Sequence, residues 1–315
     1  MREIGGYFEL ELEKKKEYHP EALKLNSGRN ALHYILKVLE PTKIFIPYYI
    51  CDSVLEPIHE LKIELEFYHI NKKFEPEIPS KFNQNEFLLY VNYFGTNYSI
   101  VKFLAANIKN LIIDNSQAFY CQPYKYPTFY STRKFFGVVD GSYLYIEKFL
   151  EEELEQAISY KNYSHILKRW ELGANAGYED YLKVEEFLSH EPLKRMSNLT
   201  QNILSSINYK EVKLTRERNF IFLHKNLKDL NELHINLENL NGPMKYPFLI
   251  NNRKLKQFLI ENKIYISTYW QEVIERVEKG SYEYYLTKNL IPIPIDQRYN
   301  LIDMKLIIEK IKEVL

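Results

Sequence analysis

Segments with the hydrophobic spacing of a helix alternate with short strand-like segments along residues 27–114. This alternation constrains the fold more than any other feature of the sequence. A helical pattern over Ser27–Leu39 is followed by a short apolar run at Lys43–Ile50, typical of a buried strand. The alternation predicts an α/β fold in which helices on both faces sandwich a mostly parallel sheet. The pattern continues with predicted helices at Ser53–Leu61 and Ile100–Asn107 and predicted strands at Ile63–Ile70, Phe87–Phe94 and Leu111–Asp114.

The rest of the chain predicts a second, smaller domain. Residues 147–230 have a mainly helical pattern, interrupted by a loop of small residues at Leu172–Tyr178. Further on, strands are predicted at Tyr246–Ile250, at Ile264–Thr268 and in the run IPIPI, with helices at Arg253–Asn262 and at the end of the sequence. We therefore predict a large α/β domain over residues 1–205 and a small C-terminal α+β domain over residues 206–315. The opening GGYFELELE predicts either an N-terminal strand or a cover over the active site.

Charge and composition argue against several classes of function. Lys plus Arg and Asp plus Glu both number 42, so the surface is not built to follow nucleic acid or an anionic membrane. No apolar run approaches the ~18 residues of a membrane span. The two cysteines, Cys51 and Cys121, form no CxxC motif, and the eight histidines show no metal-ligand spacing. These observations predict a cytoplasmic protein without a metal, with Cys51 most simply a buried inert thiol.

Three motifs carry residues suited to one cofactor. Ser27, Gly28 and Arg29 open an amphipathic helix, where free backbone N–H groups bind anions, although an ordinary N-cap explains the same residues. Asp114 ends an apolar strand, where it could bind a ligand or cap a turn. Lys134 lies among aromatic residues in FYSTRKFFGV, and we expect an apolar setting there to free its amine, although a solvated loop lysine is the alternative.

In this order, on a parallel α/β frame, the three motifs predict pyridoxal 5′-phosphate as the cofactor. A phosphate cradle would hold the 5′-phosphate. A carboxylate would keep the pyridine nitrogen protonated, and a lysine would hold the aldehyde and move the proton. In open sheets of this kind, ligands bind beyond the carboxyl ends of the strands. The site is therefore expected at that edge of the sheet.

The same motifs resemble those of the DegT/DnrJ/EryC1/StrS sugar aminotransferases, which are fold type I pyridoxal-phosphate enzymes. LNSGRNAL is similar to the phosphate loop of that family, and LIIDNSQAFY is similar to its Asp-x-x-Gln-Ala passage. YSTRKFFGVVDGSYLY resembles the family's lysine segment, and LGANAGYEDYL resembles its Gly-x-Asn loop. The resemblance implies an aspartate-aminotransferase-like large domain with a sheet of about seven strands.

The resemblance also implies a role for each candidate residue. Lys134 is the catalytic lysine, Asp114 pairs with the pyridine nitrogen, and Gln117 lies near the ring hydroxyl. The other implied cofactor-binding residues are Ser27, Gly28, Arg29 and Ser131 at the phosphate, Tyr49 against the ring face, and Asn175 reaching the cofactor of a second subunit. The sequence also departs from the family pattern: Arg29 stands where Thr is usual, Ser131 lies closer to Lys134, and Gly177 replaces a frequent Arg.

The implied activity is transfer of an amino group, by resemblance from glutamate, to a nucleotide-linked keto sugar in glycan or polysaccharide biosynthesis. The implied assembly is a homodimer. Two alternatives stay open: an inactive family member that acts as a sugar-nucleotide-binding or partner subunit, and an enzyme that uses the cofactor for lyase or other carbanion chemistry. The presence of Asp114, Gln117 and Lys134 together favours catalysis, because a decayed site is expected to lose at least one of them.

Overall fold

A computed structural model describes residues 4–78, 82–123 and 127–315 of the chain. The described residues form a sheet of eight strands and a second sheet of two. In chain order the strands are β1 (Leu23–Leu25), β2 (Lys43–Pro47), β3 (Glu64–Ile70), β4 (Pro76–Glu77), β5 (Glu86–Val91), β6 (Leu111–Asp114), β7 (Thr128–Ser131), β8 (Ser142–Tyr145), β9 (Lys245–Leu249) and β10 (Leu290–Pro294).

The large sheet has the order β1-β8-β7-β6-β5-β2-β3-β4. The five strands β3, β2, β5, β6 and β7 run parallel, while β8, β1 and β4 pair antiparallel at the two sides. This confirms the predicted α/β class with a mostly parallel sheet, although the sheet has eight strands rather than about seven. The carboxyl ends of β2, β5, β6 and β7 share one edge, where a ligand site is expected.

Helices cover the sheet and build most of the remaining chain. They are α1 (Gly28–Leu39), α2 (Leu55–Glu60), α3 (Tyr98–Asn107), α4 (Ser164–Leu172), α5 (Tyr178–Ser189), α6 (Asn198–Ser205), α7 (Tyr209–Leu227), α8 (Leu255–Glu261), α9 (Val273–Arg276), α10 (Tyr282–Asn289) and α11 (Leu301–Lys312). None of the helices in the described part of the chain combines the length and the apolar character needed to cross a bilayer.

Helix α1 illustrates how the sequence determines these elements. The Ser27 side chain accepts the backbone N–H of Asn30 and so caps the first turn. Leu32, Ile35 and Leu36 recur at helical spacing and are buried against the sheet. Burial of each such side chain contributes roughly 1.5–3 kcal/mol, which holds the helix on the sheet and fixes where its N-terminus lies.

Three predicted elements are wrong. Ile264–Thr268 alternates like a strand but pairs with no described strand, and the small sheet consists of β9 and β10 alone. Residues 147–163 form bends, an isolated bridge and a short 3₁₀ turn rather than a helix, and α4 begins only at Ser164. Residues 4–13 form no strand and do not cover the site: Tyr7 and Phe8 are almost fully exposed.

The buried side chains form three clusters. The largest surrounds the eight-stranded sheet, and a second packs α7, α8 and α11 against the two-stranded sheet. The third is mainly aromatic and lies between them, with Phe119, Phe135 and Tyr209 among its members. Helix α7 joins the clusters, because Val212 belongs to the aromatic cluster and Phe220 to the small-sheet cluster. The proposed division at residues 205 and 206, just before α7, stays a prediction.

A buried histidine in the aromatic cluster makes stability depend on pH. His19 Nε2 lies 2.8 Å from the Phe119 carbonyl oxygen, which can only accept, so Nε2 carries the proton. Tyr145 Oη donates to Nδ1 at 3.1 Å. Burial lowers the pKa of His19 from 6.5 to about 4. The unfolded chain therefore binds a proton below about pH 6.5 that the folded chain does not, and stability falls as the pH falls.

We expect this linkage to remove about 2 kcal/mol of the free energy of unfolding between pH 7 and pH 5. The measurement is urea unfolding at both pH values, for the native chain and for His19→Gln. The difference between pH 7 and pH 5 should shrink by about that amount in the variant. The exposed His59 provides the matched control, His59→Gln. If the free energy of unfolding depended equally on pH in the two variants, His19 would take up its proton in the folded chain as readily as in the unfolded chain, which would contradict the prediction.

Candidate active site

Asp114 lies at the carboxyl end of β6, at the edge where the parallel strands end. It is buried, and its Oδ1 accepts the backbone N–H of Ser116 at 2.7 Å. Asn92 N donates to the Asp114 carbonyl oxygen at 3.0 Å, which continues the β5–β6 ladder past the end of β5. The strand register thus fixes the carboxylate at the position predicted from the sequence.

Lys134 lies in the turn between β7 and β8. Both Phe135 N and Phe136 N donate to the Thr132 carbonyl oxygen, at 3.0 and 2.9 Å, which closes the turn around the lysine. Thr132 Oγ1 in turn donates to the carbonyl oxygens of Asp140 and Gly141. The two phenylalanines turn inward and are buried, whereas Lys134 is exposed. The expectation of a desolvated lysine is therefore wrong for this chain: its aromatic neighbours bury themselves and leave the amine in solvent.

The structure brings Lys134 together with Asp114 and Cys51. Burial raises the pKa of the Asp114 carboxyl, and the nearby Lys134 ammonium offsets part of that effect. Burial also raises the pKa of the Cys51 thiol, and here too the charge of Lys134 acts in the opposite direction. Cys51 follows β2 and Asp114 ends β6, so the loops of separate parallel strands meet at the lysine.

Cys51 is a site residue that the sequence analysis did not select. Its Sγ lies 2.9 Å from Ser53 Oγ, at the start of the short 3₁₀ turn Asp52–Val54. Tyr49, which the sequence analysis expected against the cofactor ring, is completely buried. Its ring meets Trp270 edge-on at 4.7 Å, and its hydroxyl has no hydrogen-bond partner among the described residues. The described contacts of Tyr49 do not include Asp114 or Lys134, so its role stays a prediction.

The N-terminus of α1 lies beside the Asp114 loop and could hold an anion. The first hydrogen bond of the helix runs from Ala31 N to the Ser27 carbonyl oxygen, so the amides of Gly28 and Arg29 are not used by the helix itself. A β-carbon built on Gly28 would lie 3.5 Å from Ser116 Oγ. The hydroxyl of Ser116 therefore stands at the helix N-terminus and adds a donor there that the sequence analysis did not assign.

The Arg29 side chain has other partners. Its Nε forms an ion pair with Glu56 Oε2 at 2.8 Å, and Nη1 donates to the Ser189 carbonyl oxygen. Asn30 Nδ2 donates to the Pro192 carbonyl oxygen at 2.9 Å, so the same chain segment covers this end of α1. Arg29 thus holds α2 and the end of α5 in place, and only its backbone amide is available to the predicted phosphate.

The remaining candidates are Gln117, Ser131 and Asn175, and each has its own partners in the structure. Gln117 is buried, and its Oε1 accepts Phe94 N at 2.8 Å, which orients the side chain three residues after Asp114. Ser131 is the buried last residue of β7, directly opposite Ser142 on β8. Asn175 is exposed, and its Oδ1 accepts Tyr265 Oη at 2.9 Å. The described contacts do not join Asn175 to Lys134, and its predicted reach to a second subunit stays a prediction.

The overall fold is that of solved sugar aminotransferases. The sugar aminotransferase CalS13 from Micromonospora echinospora superposes with a TM-score of 0.64 and 13% identity, over 94% of this chain and 88% of that one. A DegT DnrJ EryC1 StrS aminotransferase from Brucella abortus has a TM-score of 0.61 and 14% identity, over 93% and 85%. The PLP-form of Spr1654 from Streptococcus pneumoniae has a TM-score of 0.66 and 14% identity, over 94% and 87%.

No protein-family model matches the sequence, and no curated protein matches it. At 12–15% identity the likeness to solved structures concerns the fold, which agrees with the resemblance stated for the sequence. Function has to be argued from the site itself.

Proposed function

We propose that this protein is a pyridoxal-phosphate-dependent aminotransferase that acts on a nucleotide-linked keto sugar. One observation carries the proposal: Asp114 is a buried carboxylate at the carboxyl edge of the parallel strands, and Lys134 lies near enough for its charge to offset part of the effect of burial on the pKa of that carboxyl. The fold shared with solved sugar aminotransferases supports the class of enzyme. The choice of a sugar nucleotide, and of glutamate as donor, rests on the resemblance in sequence and fold.

The residues at the site fit pyridoxal phosphate. The amides of Gly28 and Arg29, with the hydroxyl of Ser116, would hold the 5′-phosphate at the positive end of α1. Asp114 would accept the pyridine N–H, and its buried position makes that ion pair strong. Ser27 and Ser131 would add further contacts to the phosphate.

Each residue then has a distinct chemical task. When bound, pyridoxal phosphate supplies an electron sink for the carbanion formed at the carbon that bears the amine. The Asp114 carboxylate would keep a proton on the ring nitrogen. The hydrogen bond from Phe94 N orients Gln117, which would lie near the ring. Lys134 Nζ would bind the aldehyde and afterwards move the proton, and its exposed side chain is accessible for both tasks.

The test is an absorbance spectrum of the purified protein with added pyridoxal phosphate, before and after borohydride. We expect a band near the visible edge that borohydride removes and a label fixed on Lys134. Glutamate should convert the cofactor to its pyridoxamine form. Cofactor binding without that conversion would favour lyase or other carbanion chemistry. No uptake of cofactor would favour the inactive partner subunit, with sugar-nucleotide binding as the next measurement.

We propose that the chain acts as a homodimer through the face of α4 and α5. Trp170, on α4, is 85% exposed, which is unusual for such a large apolar side chain. The other exposed apolar side chains of these two helices are Leu167, Leu172, Tyr178, Tyr181, Leu182 and Phe187. The face lies beside the lysine turn, because Arg133 forms an ion pair with Glu185 of α5. The unpaired Cys51 and Cys121 agree with a proposed cytoplasmic location.

We expect sedimentation equilibrium to give about twice the chain mass of 37.9 kDa. Trp170→Glu should raise the dissociation constant of the dimer by about tenfold or more, since it places a charge in an apolar contact. Phe149→Glu is the matched control, because Phe149 is also exposed but lies outside α4 and α5. A monomer at micromolar concentration, or equal weakening by both variants, would contradict the proposed face.

A further inference from the structure

Arg216, on α7, is the largest side chain that is fully buried in the described part of the chain. Its guanidinium is surrounded by acceptors that carry no charge. Nη1 donates to the carbonyl oxygens of Pro243 and Met244, both at 3.2 Å, and Nε donates to Gln297 Oε1 at 3.1 Å. No described carboxylate lies within ion-pair distance of the Arg216 guanidinium. The nearby Asp296 pairs instead with Arg298 at 2.7 Å. Burying a charge without a direct partner costs free energy, so the presence of an arginine at this position needs an explanation.

The remaining contacts of Arg216 are with the residue after the proposed catalytic lysine. Nη2 donates to the Phe135 carbonyl oxygen at 3.2 Å, and the guanidinium lies 4.5 Å from the centre of the Phe135 ring. Gln297 Nε2 donates to the same carbonyl oxygen at 2.7 Å. One backbone oxygen next to Lys134 thus accepts two hydrogen bonds, from α7 and from the segment after β10.

These contacts hold the backbone of the lysine turn from α7 and from the segment after β10. Within the turn, Phe135 N already donates to Thr132, so both polar groups of Phe135 are held. Lys134 has a free side chain on a fixed backbone. A reacting group that is displaced by about 1 Å can lose roughly 10²-fold in rate, so this anchoring bears directly on proton transfer.

We propose that Arg216 and Gln297 are positioning residues for Lys134. This proposal rests on the proposed function. In it, α7 and the segment after β10 hold the Lys134 amine in position for the reacting carbon. Burial lowers the pKa of Arg216 to about 10, which still leaves the guanidinium charged at neutral pH. A charged donor gives the stronger hydrogen bond to a carbonyl oxygen, which accounts for an arginine at this buried place.

The informative variant is Gln297→Glu. It keeps an acceptor for Arg216 Nε and adds a charge partner for the guanidinium, so the fold should be retained. It removes the donor to the Phe135 carbonyl oxygen. Gln297→Leu removes the donor without adding a charge. The matched control is Gln201→Leu, because Gln201 Nε2 also donates to a backbone carbonyl oxygen, that of Met196 at 2.8 Å, away from Phe135.

The native protein is first tested for pyridoxal phosphate trapped on Lys134 by borohydride. If none is trapped, the proposed function fails and this proposal falls with it, before any variant is made. Otherwise the variants are compared with Gln201→Leu in three measurements: the rate and KM of cofactor conversion by glutamate, amide hydrogen exchange over residues 132–138, and the unfolding temperature.

We expect both Gln297 variants to slow cofactor conversion by about tenfold or more, with little change in KM and with faster exchange confined to the lysine turn. The unfolding temperature of Gln297→Glu should match that of the control; that of Gln297→Leu is not used for this comparison, because leucine also leaves Arg216 Nε without its acceptor. A conversion rate within about twofold of the control would overturn the proposal. Slowing that follows a general loss of stability or a general rise in exchange would also overturn it, because that pattern indicates only a structural role.

Discussion

Lys134→Ala is expected to slow cofactor conversion by glutamate by roughly 10⁴-fold, the upper range for a lost general acid–base group that also binds the cofactor covalently. The fold should be retained, because Lys134 is exposed and its turn is closed by backbone hydrogen bonds to Thr132. A small loss of stability is expected, because the ammonium that offsets the burial of Asp114 is removed. The measurement is stopped-flow absorbance with pyridoxal phosphate supplied in excess, together with the unfolding temperature.

The control is Lys148→Ala, which removes another exposed lysine of the same part of the chain. Its rate should equal that of the native protein, and borohydride should still fix the label on Lys134. An Lys134→Ala protein that converts the cofactor at the native rate would end the assignment. In that case the electrostatic influence of Lys134 on Asp114 would have only a structural role.

The positions of the first helices and strands could be predicted because burial alone determines them. Leu111–Asp114 was predicted as a strand and is β6, and Ile63–Ile70 differs from β3 by one residue. Pairing could not be predicted in the same way. β1 has three residues and exists only because β8, far along the chain, lies next to it. Ile264–Thr268 has the strand period but pairs with no described strand, and the period alone could not show this.

The site was less predictable, because side-chain direction in loops depends on tertiary contacts. After β2 the sequence offers Tyr49 and Cys51, and the sequence pattern alone does not show that the charge of Lys134 acts on Cys51. Arg216 did carry a signal. It follows Val212 by four residues and precedes Phe220 by four, and both of those are buried, so helical spacing already places the arginine on the apolar face.

Asp114→Asn is expected to separate activity from stability. Because burial raises the pKa of the Asp114 carboxyl, its ionised form opposes folding at neutral pH, and a neutral amide should leave the free energy of unfolding unchanged or raise it slightly. The amide oxygen can still accept Ser116 N–H. Activity should nevertheless fall by roughly 10²- to 10³-fold, since an amide cannot stabilise a protonated ring nitrogen as a carboxylate does.

Asp140→Asn is the matched control and should behave in the opposite way. Asp140 is also a buried aspartate, but it accepts hydrogen bonds from Ser197 N and Ser197 Oγ, each at 2.8 Å, and from Thr200 Oγ1. An amide there turns one acceptor into a donor that faces donors, at a cost of about 2 kcal/mol. We expect Asp140→Asn to lower the unfolding temperature while the folded protein still binds cofactor. If Asp114→Asn were instead the unstable variant and kept its activity, Asp114 would be a structural residue, and the carboxylate that defines the proposed site would lie elsewhere.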